Sequence, residues 1–285
     1  MTPSASTLTA PPSIVPAGRF IELPGRGTTF VREAGSPSAP AIVLLHGLSA
    51  TGGLNWLWCF RPLAERYRVI SIDHRGHGHG IRTQHFRLAD CADDVAALAD
   101  VLGIQQLTAA GYSMGGPIAQ LLWHRHRSLV NGLVFCATAR NFRGPRQQSM
   151  FSLMPFITTA LRTTPSVARR AVMTRIIQQR MPEIPARDWV MNELQGSDPA
   201  AIAEAAGAIG RFSSHEWIGD VDVPTAVVVT ERDRLVPPQR QRRLAESIPG
   251  AKVIPVEGDH GVCVADGNRF VPALLQACNA VSSRY

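Results

Sequence analysis

Lysine is almost absent from this chain: Lys252 is the only one among 29 basic residues, which outnumber the 22 acidic ones and leave a formal net charge of +7. The positive charge is therefore arginine. It is spread over most of the chain with no recognised nucleic-acid motif beside it, so nucleic acid is not an expected partner. No run approaches the ~20 consecutive apolar residues of a bilayer-spanning helix, and none is expected to span. The five cysteines, Cys59, Cys91, Cys136, Cys263 and Cys278, are scattered, odd in number and without CxxC spacing. That pattern argues against a disulfide framework or thiolate metal site and fits small buried hydrophobes in a reducing cytoplasm, the expected compartment. The first 18 residues carry no charge and lack the continuous apolar core of a signal peptide. They read as a disordered leader.

Acidic residues are missing altogether from Arg140 to Arg180, where eight arginines stand: Arg140, Arg143, Arg146, Arg162, Arg169, Arg170, Arg175 and Arg180. A solvated face usually mixes signs. A one-signed stretch interleaved with Phe, Met, Leu and Ile predicts peripheral attraction to an anionic membrane or an anionic substrate. The alternative is pairing with carboxylates distant in sequence, such as Asp93 or Glu204.

With 45% hydrophobic side chains in 285 residues, the chain can bury one large core. Two alternating stretches, Arg19 to Leu23 and Thr28 to Glu33, flank Pro24-Gly25-Arg26-Gly27 and predict an opening antiparallel hairpin. Continuous apolar runs follow at 41–45, 69–72, 107–110, 133–136, 226–229 and 253–256. Runs apolar on both faces are strands of a buried parallel sheet. Helical patterns alternate with most of them, the clearest carrying Leu88, Cys91, Val95, Leu98 and Leu102 on one face. The expected architecture is α/β, a mostly parallel sheet of about eight strands flanked by helices. It is divided into a core over 19–140 and 217–285 and a helical cap over 141–216, where strand runs cease.

The chemistry concentrates at Gly111-Tyr112-Ser113-Met114-Gly115-Gly116, between the run 107–110 and a helical pattern from Pro117 to about His126. A serine on a sharp strand-to-helix turn has its hydroxyl pushed out at the sheet edge, and flanking glycines avoid clashes within the turn. Such a hydroxyl needs a base, and the base an orienting group. Asp233 follows the run 226–229 and His260 follows 253–256, so each belongs on a loop at the carboxyl end of a strand. Glu231, Asp259 and Asp222 are weaker rivals for the acid. Asp259 adjoins the histidine, and Asp222 precedes its strand. The two backbone N–H groups of an oxyanion hole are expected from Met114, directly after the serine, and from Leu48 in His46-Gly47-Leu48.

Together, HGL at 46–48, DHRGHG at 73–78, GYSMGG at 111–116, the Asp233 loop and GDH at 258–260 resemble the α/β-hydrolase fold-1 superfamily from about residue 19 to the C-terminus. The resemblance implies a serine-dependent hydrolase with no cofactor, whose nucleophile, acid and base are Ser113, Asp233 and His260. The elbow is similar to those of esterases, enol-lactonases, cofactor-free haloperoxidases and carbon-carbon bond hydrolases. Haloalkane dehalogenases and epoxide hydrolases of this fold carry aspartate where Ser113 stands, which disfavours both. Many carbon-carbon bond hydrolases carry tryptophan where Gly261 stands. An ester substrate with an apolar acyl part is the leading expectation, and a ligand receptor on the same fold is the non-enzymatic alternative. Trp56, Trp58, Phe151 and Met154 are candidate substrate-lining residues, though each could simply pack. The histidines His74, His77 and His79 beside Asp73 fall in a family turn and are not expected to hold a metal. Oligomeric state is left open.

Overall fold

A computed structural model describes residues 13–142, 145–165, 168 and 187–282. Eight strands form one sheet: β1 (Gly18–Leu23), β2 (Gly27–Ala34), β3 (Ala41–Leu45), β4 (Arg68–Ile72), β5 (Leu107–Tyr112), β6 (Val130–Cys136), β7 (Thr225–Thr230) and β8 (Lys252–Val256). Their order is β1-β2-β4-β3-β5-β6-β7-β8. The predicted hairpin pairs β1 with β2 antiparallel, and β2 joins β4 antiparallel. All remaining pairs are parallel.

Each central strand alternates between two buried faces, which is why its sequence reads as uninterrupted apolar residues. Val43, Leu45, Ala109, Leu133, Phe135, Val227 and Val229 pack on one side, under α3 (Leu88–Val101) and α4 (Gly115–Arg125). Ile42, Leu44, Ala110, Val134, Cys136, Ala226 and Val228 pack on the other, with residues of α10 (Gly267–Ser282). The short helices α1 (Gly52–Asn55) and α2 (Phe60–Ala64) follow β3.

Between β6 and β7 the described residues include, beside irregular stretches, the helices α5 (Pro145–Thr163), α6 (Arg187–Gln195) and α7 (Pro199–Arg211). Further on come α8 (Pro238–Glu246) and α9 (Val262–Ala265). Most of the expected leader lies outside the described residues. Its end is packed, with Val15 buried beside the sheet.

Strand order reverses between β3 and β5, because the chain runs outward from β3 to β4 and then returns to β5 on the other flank. Crevices form at the carboxyl ends of strands at such switch points. Both Ser113, after β5, and the His46-Gly47-Leu48 loop, after β3, sit there.

Candidate active site

Ser113 adopts φ = 51° between β5 and α4. A non-glycine residue there is held at a cost on the order of 1–3 kcal/mol by its surroundings. The Ser113 N–H donates to Cys136 O at 2.9 Å, and the Thr138 hydroxyl donates to Ser113 O at 2.8 Å. The neighbouring glycines are a steric demand. A Cβ on Gly111 would lie 2.2 Å from Gly115 O, and one on Gly115 would lie 2.1 Å from Leu45 O.

The loops after β7 and β8 bring the acid and the base together. His260 Nε2 lies 2.9 Å from Ser113 Oγ, and His260 Nδ1 lies 2.7 Å from Asp233 Oδ2. A carboxylate can only accept, so the proton belongs on Nδ1, and Nε2 is left to accept from the serine hydroxyl. Asp233 is buried and anchored by the N–H groups of Leu235 and Val236, each 2.8 Å from Oδ1, and by the Thr230 hydroxyl, 2.9 Å from Oδ2. The rival acids are engaged elsewhere: Glu231 with Arg242, Asp222 with the Trp123 indole, and Asp259 with its own Gly261 N–H.

The HGL loop lies against the serine. A Cβ on Gly47 would stand 3.3 Å from Ser113 Cβ. His46 is fully buried, accepts the His74 N–H on Nε2 at 2.9 Å, and therefore donates from Nδ1 to Gly47 O at 2.8 Å. Burial pushes its pKa down to about 4, which keeps Nε2 available as an acceptor at neutral pH. In a trans peptide the C=O and the following N–H point to opposite sides. Holding Gly47 O on His46 is therefore one restraint on the aim of the Leu48 N–H. Among the described residues, neither the Leu48 N–H nor the Met114 N–H has an acceptor.

The candidate lining residues separate. Trp56 is fully buried between Tyr112 and Phe270, at ring-centroid distances of 6.1 and 6.2 Å. Trp58 is exposed at the surface, its indole donating to Val264 O at 2.9 Å. Met154 packs against Gly207 of α7, in a cleft of about 250 Å³ with Glu204 and Arg211. The side chain of Phe151 lies outside the described residues. An open cleft of about 980 Å³ runs along the Asp233 and His260 loops, lined by Arg232, Arg234, Leu235, Asp259, Val262 and Arg269 among others. Among the described residues, no group of histidine, cysteine or carboxylate side chains could hold a metal ion.

Some residues around the site carried no sequence signal. Asn55 accepts the Gly47 N–H, and Tyr112 donates to His260 O. On α6, Glu193 reaches Arg32 of β2 at 2.7 Å and accepts from the Thr51 hydroxyl, itself the N-cap of α1. The partners of Tyr112 and Glu193 lie 148, 161 and 142 positions away, beyond the reach of any local pattern, and Asn55, only 8 from Gly47, belongs to no motif of its own.

Comparison with known proteins bears on the fold and the family. The chain is 26% identical over 247 residues to a protein of Agrobacterium fabrum that carries the provisional name carbamate hydrolase RutD, covering 84% of this chain and 92% of that one. It is 27% identical over 257 residues to a pimeloyl-[acyl-carrier protein] methyl ester esterase of Chromobacterium violaceum, covering 87% and 96%. The crystal structure of an enol-lactonase from Burkholderia xenovorans LB400 superposes with a TM-score of 0.74 at 23% identity, covering 92% of this chain and 100% of that one. At that identity the likeness speaks for the fold. The profile of the alpha/beta hydrolase fold matches residues 40–265, and the chain belongs to that family.

Proposed function

We propose that this protein is a serine hydrolase that cleaves a carboxylic ester through an acyl-enzyme. The observation that carries the reading is the unbroken row from Ser113 Oγ to His260 Nε2 and from His260 Nδ1 to Asp233 Oδ2, with two N–H groups beside it lacking acceptors among the described residues. In this reading His260 takes the Ser113 proton as Oγ attacks the carbonyl carbon. Asp233 stabilises the imidazolium, and the Leu48 and Met114 N–H groups receive the negative charge on the carbonyl oxygen. The imidazolium then protonates the leaving alcohol. Water, deprotonated by His260, attacks the acyl carbon and releases the acid. Every step is carried by side chains and backbone of this chain, so the reading requires no cofactor.

The methyl ester esterase relative supports an ester bond, and the acyl part is read as apolar. The helical stretch between β6 and β7 is read as the cap over that acyl part. A fluorophosphonate probe tests the nucleophile: mass spectrometry should find one adduct, on Ser113, in the wild type and none in Ser113→Ala. The same substitution should lower turnover by ~10⁴–10⁶ while leaving the fold intact, because an elbow serine contributes chemistry and little packing. Retention of a tenth of the activity would refute the assignment. A chain-length series of p-nitrophenyl esters, run beside lactones, tests the bond. Faster turnover of lactones than of every ester would overturn the ester reading.

A further inference from the structure

Three loops must keep register for the proposed reaction: the oxyanion loop, the elbow and the histidine loop. Behind them lies a buried polar cluster. Asn55, at the end of α1 and 3% exposed, accepts the Gly47 N–H on Oδ1 at 2.9 Å. Its Nδ2 points to Cys263 Sγ at 3.8 Å. The reverse amide orientation would face Nδ2 toward the Gly47 donor, so the two partners determine it. Cys263 stands in α9, three residues after His260. The Tyr112 hydroxyl donates to His260 O at 2.8 Å and also meets the Cys263 thiol, whose pKa burial pushes up to about 12. That thiol is therefore a neutral, unreactive partner.

Asn55 thus touches the peptide next to the Leu48 donor with one end and, with the other, the helix α9 that directly follows the histidine loop. We propose that Asn55 is a positioning residue that sets the oxyanion loop against the histidine loop, so that the Leu48 N–H and the imidazole address the same reacting carbon. His46 holds Gly47 by its carbonyl and Asn55 holds it by its N–H. Without Asn55, Gly47 turns about the remaining tether and the Leu48 N–H loses its aim. Ground-state binding of an ester does not use that N–H as strongly as the tetrahedral oxyanion does, so the loss falls on kcat and spares KM. The proposal rests on the acyl-enzyme reading.

The test is a cycle of wild type, Asn55→Ala, Cys263→Ala and the double variant. For each, the rate of fluorophosphonate labelling at Ser113 and the kcat and KM for p-nitrophenyl butyrate are measured below its thermal midpoint. The wild type should label. An unlabelled wild type would remove the nucleophile reading and this proposal with it. In Asn55→Ala, labelling rate and kcat should fall about 10- to 100-fold, at or below the ~10²–10³ that loss of an oxyanion donor itself costs. KM should stay within about threefold, and labelling should still run to one adduct per chain, which certifies the fold. Cys263→Ala should cost less, and the double variant no more than Asn55→Ala alone, because both changes cut one linkage. Labelling of Asn55→Ala at the wild-type rate would overturn the proposal while leaving the nucleophile reading intact. So would a rise in KM with kcat unchanged, or additive losses in the double variant. Should Asn55→Ala fail to fold, Asn55→Ser, which keeps a polar group at smaller volume, takes its place in the same cycle with the same expected losses.

Discussion

At Ser113, glycine geometry, backbone strain and hydrogen bonding all serve to hold one hydroxyl beside one imidazole, and Asp233 does the same for the far side of that imidazole. Four donors converge on the Asp233 carboxylate besides the histidine: the Leu235 and Val236 N–H groups, the Thr230 hydroxyl and Gln241 Nε2. With so many donors its orientation is not free. Asp233→Asn would place an amide where the imidazolium needs a negative charge and would favour the wrong tautomer. A fall in kcat of ~10⁴ is expected. Asp259→Asn and Glu231→Gln should change kcat only severalfold, since those carboxylates bind Gly261 N–H and Arg242. Side-by-side steady-state kinetics decide it, and a larger loss in Asp259→Asn would move the acid. The placing of Ser113, Asp233 and His260 side by side was legible in the sequence because each stands on a turn or loop at the carboxyl end of an apolar strand run. Asn55 and Tyr112 were not: their roles depend on which loops the sheet brings together, and nothing about an asparagine at the end of a four-residue helix announces that.

Among the elements, α6 has the most to say about how the segment between β6 and β7 is held to the sheet. Its Glu193 is buried, pairs with Arg32 of β2 and accepts from Thr51, three residues after Leu48. The same segment is tied on by Ser197, whose hydroxyl accepts the Gly78 N–H, and by Asp198, whose N–H donates to Gly76 O. Burial, and then the charge of Asp73, push the Glu193 pKa up to about 7 against the pull of Arg32. A carboxyl raised in this way binds its proton more tightly in the folded chain than in the unfolded one, whose carboxyl titrates near 4.5. Its contribution to stability is therefore present below that lower value and is lost as pH rises from about 4.5 to 7. Denaturant midpoints taken from pH 5 to pH 8 should fall more steeply for the wild type than for Glu193→Gln, which cannot titrate. Parallel pH dependences would show that Glu193 ionises normally. The strands themselves were legible because burial on both faces writes a continuous apolar run. An ion pair spanning 161 positions leaves no such trace.

Over the whole molecule the excess of arginine is uneven, and the acid-free stretch from Arg140 to Arg180 falls between β6 and β7. One of its charges is answered within the fold, Arg162 pairing with Glu204 of α7 at 2.8 Å, while Arg140 donates to the uncharged Ser247 hydroxyl. Arg143, Arg169, Arg170, Arg175 and Arg180 lie outside the described residues. On α5, Leu153, Phe156 and Ile157 share an exposed face at helical spacing, with Phe156 75% exposed. We propose that this basic and apolar segment attracts an anionic substrate or an anionic membrane surface. Replacing Arg169, Arg170 and Arg175 by Gln should then raise KM for an ester carrying a free carboxylate and weaken binding to vesicles containing an anionic lipid. Turnover of a neutral ester should hardly change. Because exposed charges act over about 8 Å at physiological ionic strength and less at higher salt, the difference between wild type and variant should shrink as salt is added. Arg162→Gln should contribute little to that difference, its charge being already answered by Glu204. If the triple variant matched the wild type on both esters and neither bound vesicles, these arginines would be an ordinary solvated surface, and the one-signed stretch would owe its charge to pairing across the fold of the kind that Glu204 supplies.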